Sequence, residues 1–351
     1  MFCVQRLAMA ARARCYTRAA GMLTDLFTVL SSMPAEAVGA SIPPGVRRPA
    51  LAAACARVDG ADVVVEFQPF TPRRPAVHLV PSFSALTTAT YSVRFEASVP
   101  DVGDEGWIAT TPIGPADFPD AGPCAGPLRS QIDELVSTRP VESVRLRLRL
   151  RGEHPEVLLS APWLVTLSAS DGSPVDPRAA GDLRTEPIDV PPRSQMEEAE
   201  AVRRRICSPT SVAMVLALHG QSVTVSELAA EMFHASLDLY GVWPCAIQAA
   251  ARRGIAGYLL RFPDWTAVAW CLARGLPIVA SVRYAVGELT NAASPATMGH
   301  LLVITGLDGD DVLVNDPAAA SRSDVRRRYR RDELTRVWLE RAGVGYVFFP
   351  V

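Results

Sequence analysis

The stretch "RRRICSPTSVAMVLALHG", residues 203–220, sets Cys207 directly in front of a run that reads as a buried helix. Pro209 suits the first turn of such a helix, where its missing N–H costs nothing, and the apolar residues 212–218 would bury it. The free N–H groups at the helix start would then point toward the sulfur, which lowers a thiol pKa when a histidine is also near. Cysteine is equally one of the most buried residue types, and a lone one before a helix is more often packing than nucleophile. The choice between the two depends on what the rest of the chain can bring to Cys207.

The chain has 351 residues, 49% hydrophobic and 21% charged, enough to bury ordinary cores in two domains. A formal net charge of -2 gives no global attraction to nucleic acid, and no nucleic-acid partner is expected. The 35 basic side chains are all Arg, which carries no functional weight. The cysteines Cys3, Cys15, Cys55, Cys124, Cys207, Cys245 and Cys271 are odd in number and scattered, with no Cys-x-x-Cys and no zinc spacing. Neither a disulfide scaffold nor a metal site is expected. The uncharged stretch 206–226 is too short and too polar to span a bilayer, so no transmembrane segment is expected. Residues 1–50 are rich in Ala and Arg, with Asp25 interrupting the apolar part. They read as a poorly ordered segment and not as a secretory signal, which favours the cytoplasm over export.

Between residues 51 and 170 the pattern has a period of two. "TYSVRFEASV" puts Tyr91, Val93, Phe95, Ala97 and Val99 on one face, and "SVRLRLRLRG" does the same with Val144, Leu146, Leu148 and Leu150. Several such strands without a helix between them predict a β-sandwich-like domain over 51–170. The other face of the second strand carries Arg145, Arg147, Arg149 and Arg151, read as a solvated charged face. Residues 171–192, rich in Pro, Gly and charge, read as a linker. From 193 to 351 the pattern becomes α+β. Helices are expected at 209–218, 226–234 (after a capping box of Thr224 and Glu227), 244–253, 265–274 and 331–341, with strands at "LPIVASV", "HLLVITGL", "DVLVND" and "YVFFPV".

Five histidines could partner the thiol. His219 lies twelve residues along the same helix, roughly 18 Å away; His234 falls near the end of the next helix; His78 and His154 belong to the β half. His300 remains. It opens "GHLLVITGLDGDDVLVNDP", two apolar runs separated by "LDGDD", a hairpin signal. A turn centred on Asp308 would set His300 opposite Asp316, where a carboxylate could orient an imidazole base. Successive strand side chains point to opposite faces, so only one of Asp316 and Asn315 can serve; Asp316 is the choice and Asn315 the alternative. Asn-Asp-Pro is also an ordinary way to leave a strand.

"RSQ" at 193–195, "CSPTSVAMVL" at 207–216, "YGVWPCAIQAA" at 240–250, "GHLLVITG" at 299–306 and "VNDPAA" at 314–319 follow one another in the order seen in the papain-like cysteine peptidases of the bacteriocin-processing, double-glycine leader type. The resemblance covers about residues 190–351. It implies a papain-like α+β cysteine peptidase domain over 193–351, with Cys207 as nucleophile, His300 as general base and acid, and Asp316 as orienting group. It also implies Gln195 as the oxyanion donor beside the backbone N–H of Cys207. The sequence departs from those peptidases in carrying Ser208 where they usually have Gly, and a charged insert "EEAEAVRRR" between Gln195 and Cys207. It resembles the free-standing members, not the exporter-fused ones.

The expected function is therefore hydrolysis of peptide or amide bonds through a thioester, without a cofactor, on a peptide or protein substrate. An acyltransferase or ligase could use the same triad with an amine as acceptor. A catalytically inactive binding protein is the third reading, weighed against by the presence of Cys207, His300 and Asp316 together.

Overall fold

The computed structural model describes residues 21–50, 53–100, 106–122, 126–153, 155–176 and 181–351. Residues 1–20 lie outside these, as do Cys3, Cys15, Cys124 and His154. The N-terminal half runs β1 (Thr24–Leu30), α1 (Ala35–Ser41), β2 (Arg47–Ala50), β3 (Ala53–Asp59), β4 (Asp62–Phe67), β5 (Ala76–Ala85), β6 (Tyr91–Ser98), β7 (Ile108–Ala109), β8 (Leu128–Gln131), β9 (Glu134–Val141), β10 (Arg145–Gly152), α2 (Pro155–Ser160) and β11 (Trp163–Ser170). The C-terminal half runs α3 (Cys207–Leu218), α4 (Val225–Met232), α5 (Trp243–Ala251), β12 (Ile255–Arg261), α6 (Trp265–Leu272), β13 (Ile278–Tyr284), β14 (Thr297–Asp308), β15 (Asp311–Asn315), β16 (Arg326–Arg330), α7 (Arg331–Leu334) and β17 (Val344–Pro350).

These make a mixed α/β structure with three sheets, ordered β2-β1-β11-β5-β9-β8, β3-β4-β10-β6-β7 and β12-β17-β13-β14-β15-β16. The alternating apolar residues of the first two sheets meet in one core: Phe83 of β5 packs edge-on against Tyr91 of β6, with ring centroids 5.7 Å apart. The reading of residues 1–50 as poorly ordered is overturned for 24–50. Strand β1 pairs along its whole length with β11, from Thr24↔Ser170 to Leu30↔Leu164, because "TDLFTVL" alternates apolar side chains that both its faces can bury. Asp25, which looked like an interruption, is buried and accepts hydrogen bonds from the Arg73 backbone and guanidinium.

The arginine face of β10 is a second correction. Arg149 is buried and bonds Glu96 and Asp62, Arg147 bonds Glu96, and Arg151 bonds Asp62. Trp107 lies 4.1 Å from the Arg147 guanidinium, and Phe118 covers Arg151. The acidic partners sit on the neighbouring strands β6 and β4, in register with β10. A single strand's pattern cannot reveal that its charges are cancelled across a ladder.

The two halves are fused by the other face of the first sheet. Strand β12 is the edge of the third sheet, so alternate N–H groups lack a partner strand. Ser84 accepts from Gly257 N–H, Ser82 from Leu259 and Ser168 from Arg261, at 3.1–3.3 Å. The alternation of Ser and Thr with apolar residues in β5 and β11 is thus a buried polar face that covers a sheet edge. The expected linker is also docked: Thr185 N–H donates to Leu307 and Ile188 N–H to Thr305, so 183–188 runs beside β14 beyond the last residue that β13 pairs. In the C-terminal half the capping box of Thr224 and Glu227 opens α4 as expected. The expected helix 331–341 is a short α7 followed by a π turn over Thr335–Leu339. No helix among the described residues is long and apolar enough to cross a membrane.

Candidate active site

Cys207 is the first residue of α3 and is half-buried; Ser208 to Leu216 behind it are all buried. A helix buried on every side has no apolar stripe of its own, and its position is set by contacts at both ends. Ser211 Oγ donates to Leu301 O at 3.0 Å, which ties α3 to β14 one residue beyond His300. His300, 5% exposed, places Nε2 2.8 Å from Asp316 Oδ1. The ring also lowers the pKa of the Cys207 thiol, and with Nε2 committed to Asp316 the nitrogen left to serve the sulfur is Nδ1.

Asp316 is fully buried and its carboxylate takes part in three hydrogen bonds. Oδ1 also accepts from Ala318 N–H at 2.9 Å, and Oδ2 accepts from Tyr329 O–H at 2.7 Å. The turn chemistry of Asn-Asp-Pro and the pairing with histidine are therefore the same geometry. The expected register is not. Asp308 pairs with Asp311, so the turn is Gly309–Asp310, with Gly309 at φ 64°, and a bulge lies between Ile304 and Gly306. Asp316 stands past the end of β15 and reaches His300 by leaving the ladder. Asn315, still in β15, faces the other way and donates to Val190 O at 2.9 Å, so the alternative orienting residue is not beside His300.

Burial alone would raise the Cys207 pKa. The hydrogen bond and charge of His300, with the backbone N–H groups of Leu301 and Ser208, outweigh it and hold the thiol below its ordinary value. For His300 burial works downward, but the Asp316 charge and hydrogen bond, then Cys207, push the imidazole up to about 10. Burial raises Asp316 too, and His300, Tyr329 and Ala318 bring it below the usual carboxylate range. All three directions favour a thiolate facing an imidazolium. Asparagine at 316 keeps an oxygen for His300 and Ala318 while removing the charge. Exchanging a charged for a neutral hydrogen bond is worth about 1.4 kcal/mol, so Asp316→Asn is expected to slow peptide hydrolysis roughly ten-fold. Its pH–rate profile should narrow from the alkaline side, because the imidazolium limb loses the charge that holds it up; an unshifted alkaline limb would show that the carboxylate charge is not felt at the imidazole.

Gln195 is buried in a 3-10 turn. Its Nε2 donates to Arg203 O at 2.7 Å, and its Oε1 has no partner. An amide nitrogen carries two protons, so one N–H is left over. The turn is tied to the loop after Asp316 through Gln195 N–H to Pro317 O at 2.9 Å. His219 ends α3 as expected, while His234 bonds Pro112 O of the other half at 2.8 Å and is engaged there. The residue missed in the sequence is Tyr329: one large buried side chain within "RRRYRR" marks the inward face of an edge strand, and no strand was read there.

Cys207 opens into a cleft of about 790 Å³ that both halves line, with Gln131, Ile132 and Asp133 from the N-terminal half and Tyr240, Trp243 and Met298 from the C-terminal half. Among the described residues no group of three or more His, Cys, Asp or Glu side chains is arranged to hold a metal ion.

Residues 187–346 match the Peptidase_C39 like family. The C-terminal half is thus of the C39-like cysteine peptidase type, the type whose motif order the sequence resembles. Among solved structures the chain is similar to a double glycine motif protease from an AMS/PCAT transporter in complex with the leader peptide (18% identity, 48% of this chain and 98% of that one, TM-score 0.33). It is also similar to the peptidase domain of Streptococcus ComA, a bifunctional ABC transporter of a quorum-sensing pathway (15% identity, 46% and 99%, TM-score 0.35). A third likeness is to a C39-like peptidase from Bacillus anthracis (17% identity, 48% and 99%, TM-score 0.37). No curated protein matches the chain in sequence.

Proposed function

We propose that the protein is a thiol hydrolase of peptide or amide bonds, with Cys207 as nucleophile, His300 as general base and acid, and Asp316 as the group that orients the imidazole. The Cys207 thiolate attacks the carbonyl carbon, and the oxyanion is held by the backbone N–H of Cys207 and the second N–H of the Gln195 amide. The C–N bond breaks as His300 Nδ1–H protonates the leaving amine, which leaves a thioester. His300 then takes a proton from water; the hydroxide attacks, the C–S bond breaks and the thiolate returns. The observation that carries this reading is the buried hydrogen-bonded chain from His300 through Asp316 to Tyr329, with the Cys207 thiol, whose pKa the imidazole lowers, opening into the cleft. We read the N-terminal half as a β-sandwich-like domain; support comes from the apolar side chains that its two sheets bury against each other, such as Phe83 against Tyr91. Its substrate is a peptide or protein segment.

Limiting iodoacetamide applied from about pH 5 to about pH 9, with adducts located by peptide mass spectrometry, tests the reading. Cys207 is expected to be labelled selectively well below pH ~8.5, the value for a free thiol. Cys245, whose buried thiol is pushed up to about 12, should stay unmodified. Labelling of Cys207 no faster than that of the exposed Cys55 near pH 6 would remove the activated thiol and the proposal with it. Amide adducts formed in the presence of added amines would move the reaction from hydrolysis to acyl transfer.

A further inference from the structure

Strands β8 and β9 are joined by Ile132 and Asp133, and this hairpin of the N-terminal half enters the cleft of Cys207. Its backbone is unusual: Ile132 has φ 41°, a region that a β-branched side chain enters only under strain and that a two-residue turn ordinarily gives to Gly or Asn. Two contacts hold the strained turn. Asp133 Oδ1 accepts from Trp243 N–H at 2.9 Å, capping the first turn of α5, whose own N-cap Val242 offers no side-chain acceptor. Thr111 N–H donates to Ile132 O. The side chain so displayed is apolar and 41% exposed. It is not alone: of seven exposed large apolar side chains among the described residues, three, Ile132, Leu239 and Met298, line this one cleft. Scattered exposed apolar residues need no explanation, but their convergence around a reactive thiol does.

We infer that the β8–β9 hairpin is the N-terminal half's contribution to substrate selection: Ile132 is a specificity-determining residue that receives a bulky apolar side chain next to the scissile bond. Asp133 is the positioning residue that docks the hairpin on α5. This rests on the peptidase reading above. It gives the strain at Ile132 a use, since a glycine there would relax the turn but leave the cleft wall bare. The occupant is an extended peptide with a large aliphatic or aromatic residue near the cut. Leu239 and Met298 add to the same apolar surface from the C-terminal half.

The test uses the full chain and a pool of end-blocked peptides randomised around their centre, with cut sites read by mass spectrometry. The intact protein is expected to cut beside bulky apolar residues. In Ile132→Gly, which relieves the turn, the ratio of kcat/KM for bulky apolar over small or polar residues should fall roughly ten-fold or more, the scale set by losing methylenes from a pocket. Ile132→Asn, which tolerates the same φ, should do likewise, and Cys207 alkylation in both variants should match the unsubstituted protein. An unchanged preference in both variants, with cutting retained, overturns the role of the hairpin and leaves the peptidase reading standing. An unsubstituted protein whose Cys207 is unreactive and which cuts nothing in the pool overturns both.

Discussion

Alanine at position 207 is expected to reduce peptide hydrolysis by about 10⁴-fold or more, to the background of the assay, while the melting temperature moves by only a few degrees. The two halves of the expectation have separate causes. Cys207 supplies the only atom that forms the covalent bond in the proposed reaction, so no other group can take over. Its packing contribution is small: the side chain is half-buried at the start of a helix that is held by nine consecutive buried residues behind it. Deleting one sulfur from such a position costs about 1 kcal/mol. His300 and Asp316 keep their mutual hydrogen bond without it. Retained turnover in Cys207→Ala, with melting unchanged, would refute the assignment of the nucleophile; loss of turnover with a collapsed melting transition would show instead that α3 needs the thiol for packing.

How much of this site was legible in the sequence depends on how local each relation is. Cys207 at a helix start and His300 on the first strand of the hairpin follow from periodicity and from the five-histidine inventory, although that strand begins at Thr297 and not at His300. Asp316 was reached by a register argument that fails in detail: the turn lies one to two residues further on, and a bulge shifts the ladder again. The carboxylate meets the imidazole because Asp-Pro leaves the strand, and the hydrogen bonds from Ala318 and Tyr329 hold it there. Tyr329 could not be placed, since its role depends on a sixth strand pairing at the far edge of the sheet. The arginines of β10 illustrate the same limit. Their alternation announced a strand, but Glu96 and Asp62 lie 51 and 87 residues earlier than Arg147 and Arg149, and only the ladder brings them together.

The fusion of the halves was hidden for a related reason. A serine on a strand's second face reads as a solvated residue, and Ser82, Ser84 and Ser168 are each buried against the edge of another sheet. Their hydroxyls take the place of a neighbouring strand for β12. That contact fixes the first sheet against the third, and through α5 it fixes the β8–β9 hairpin beside Cys207. The peptidase half therefore does not own its cleft. A reading that treats residues 171–192 as a free linker between independent domains loses the wall that the N-terminal half supplies.

Alanine at position 300 is expected to have an effect as large as that of alanine at 207, by a different route. In the intact protein the thiolate–imidazolium pair exists between the lowered pKa of Cys207 and the His300 value of about 10, so activity should rise through the first and fall through the second. The sign follows from the charges: below the first the thiol is protonated, and above the second no proton is left for the leaving amine. His300→Ala removes both the proton carrier and the interactions that outweigh burial at the sulfur. Burial then dominates, and the Cys207 pKa should rise to or above its ordinary value of about 8.5. Turnover is expected to fall about 10⁴-fold. Alkylation near pH 6 should fall about a hundred-fold or more, because each unit of pKa increase removes a factor of ten in thiolate. The two readouts separate roles. A variant that still labels rapidly at pH 6 but does not turn over would mean that the α3 amino terminus alone makes the thiolate and that His300 serves only as the acid. A variant that loses both makes the imidazole the source of the thiolate as well as its partner.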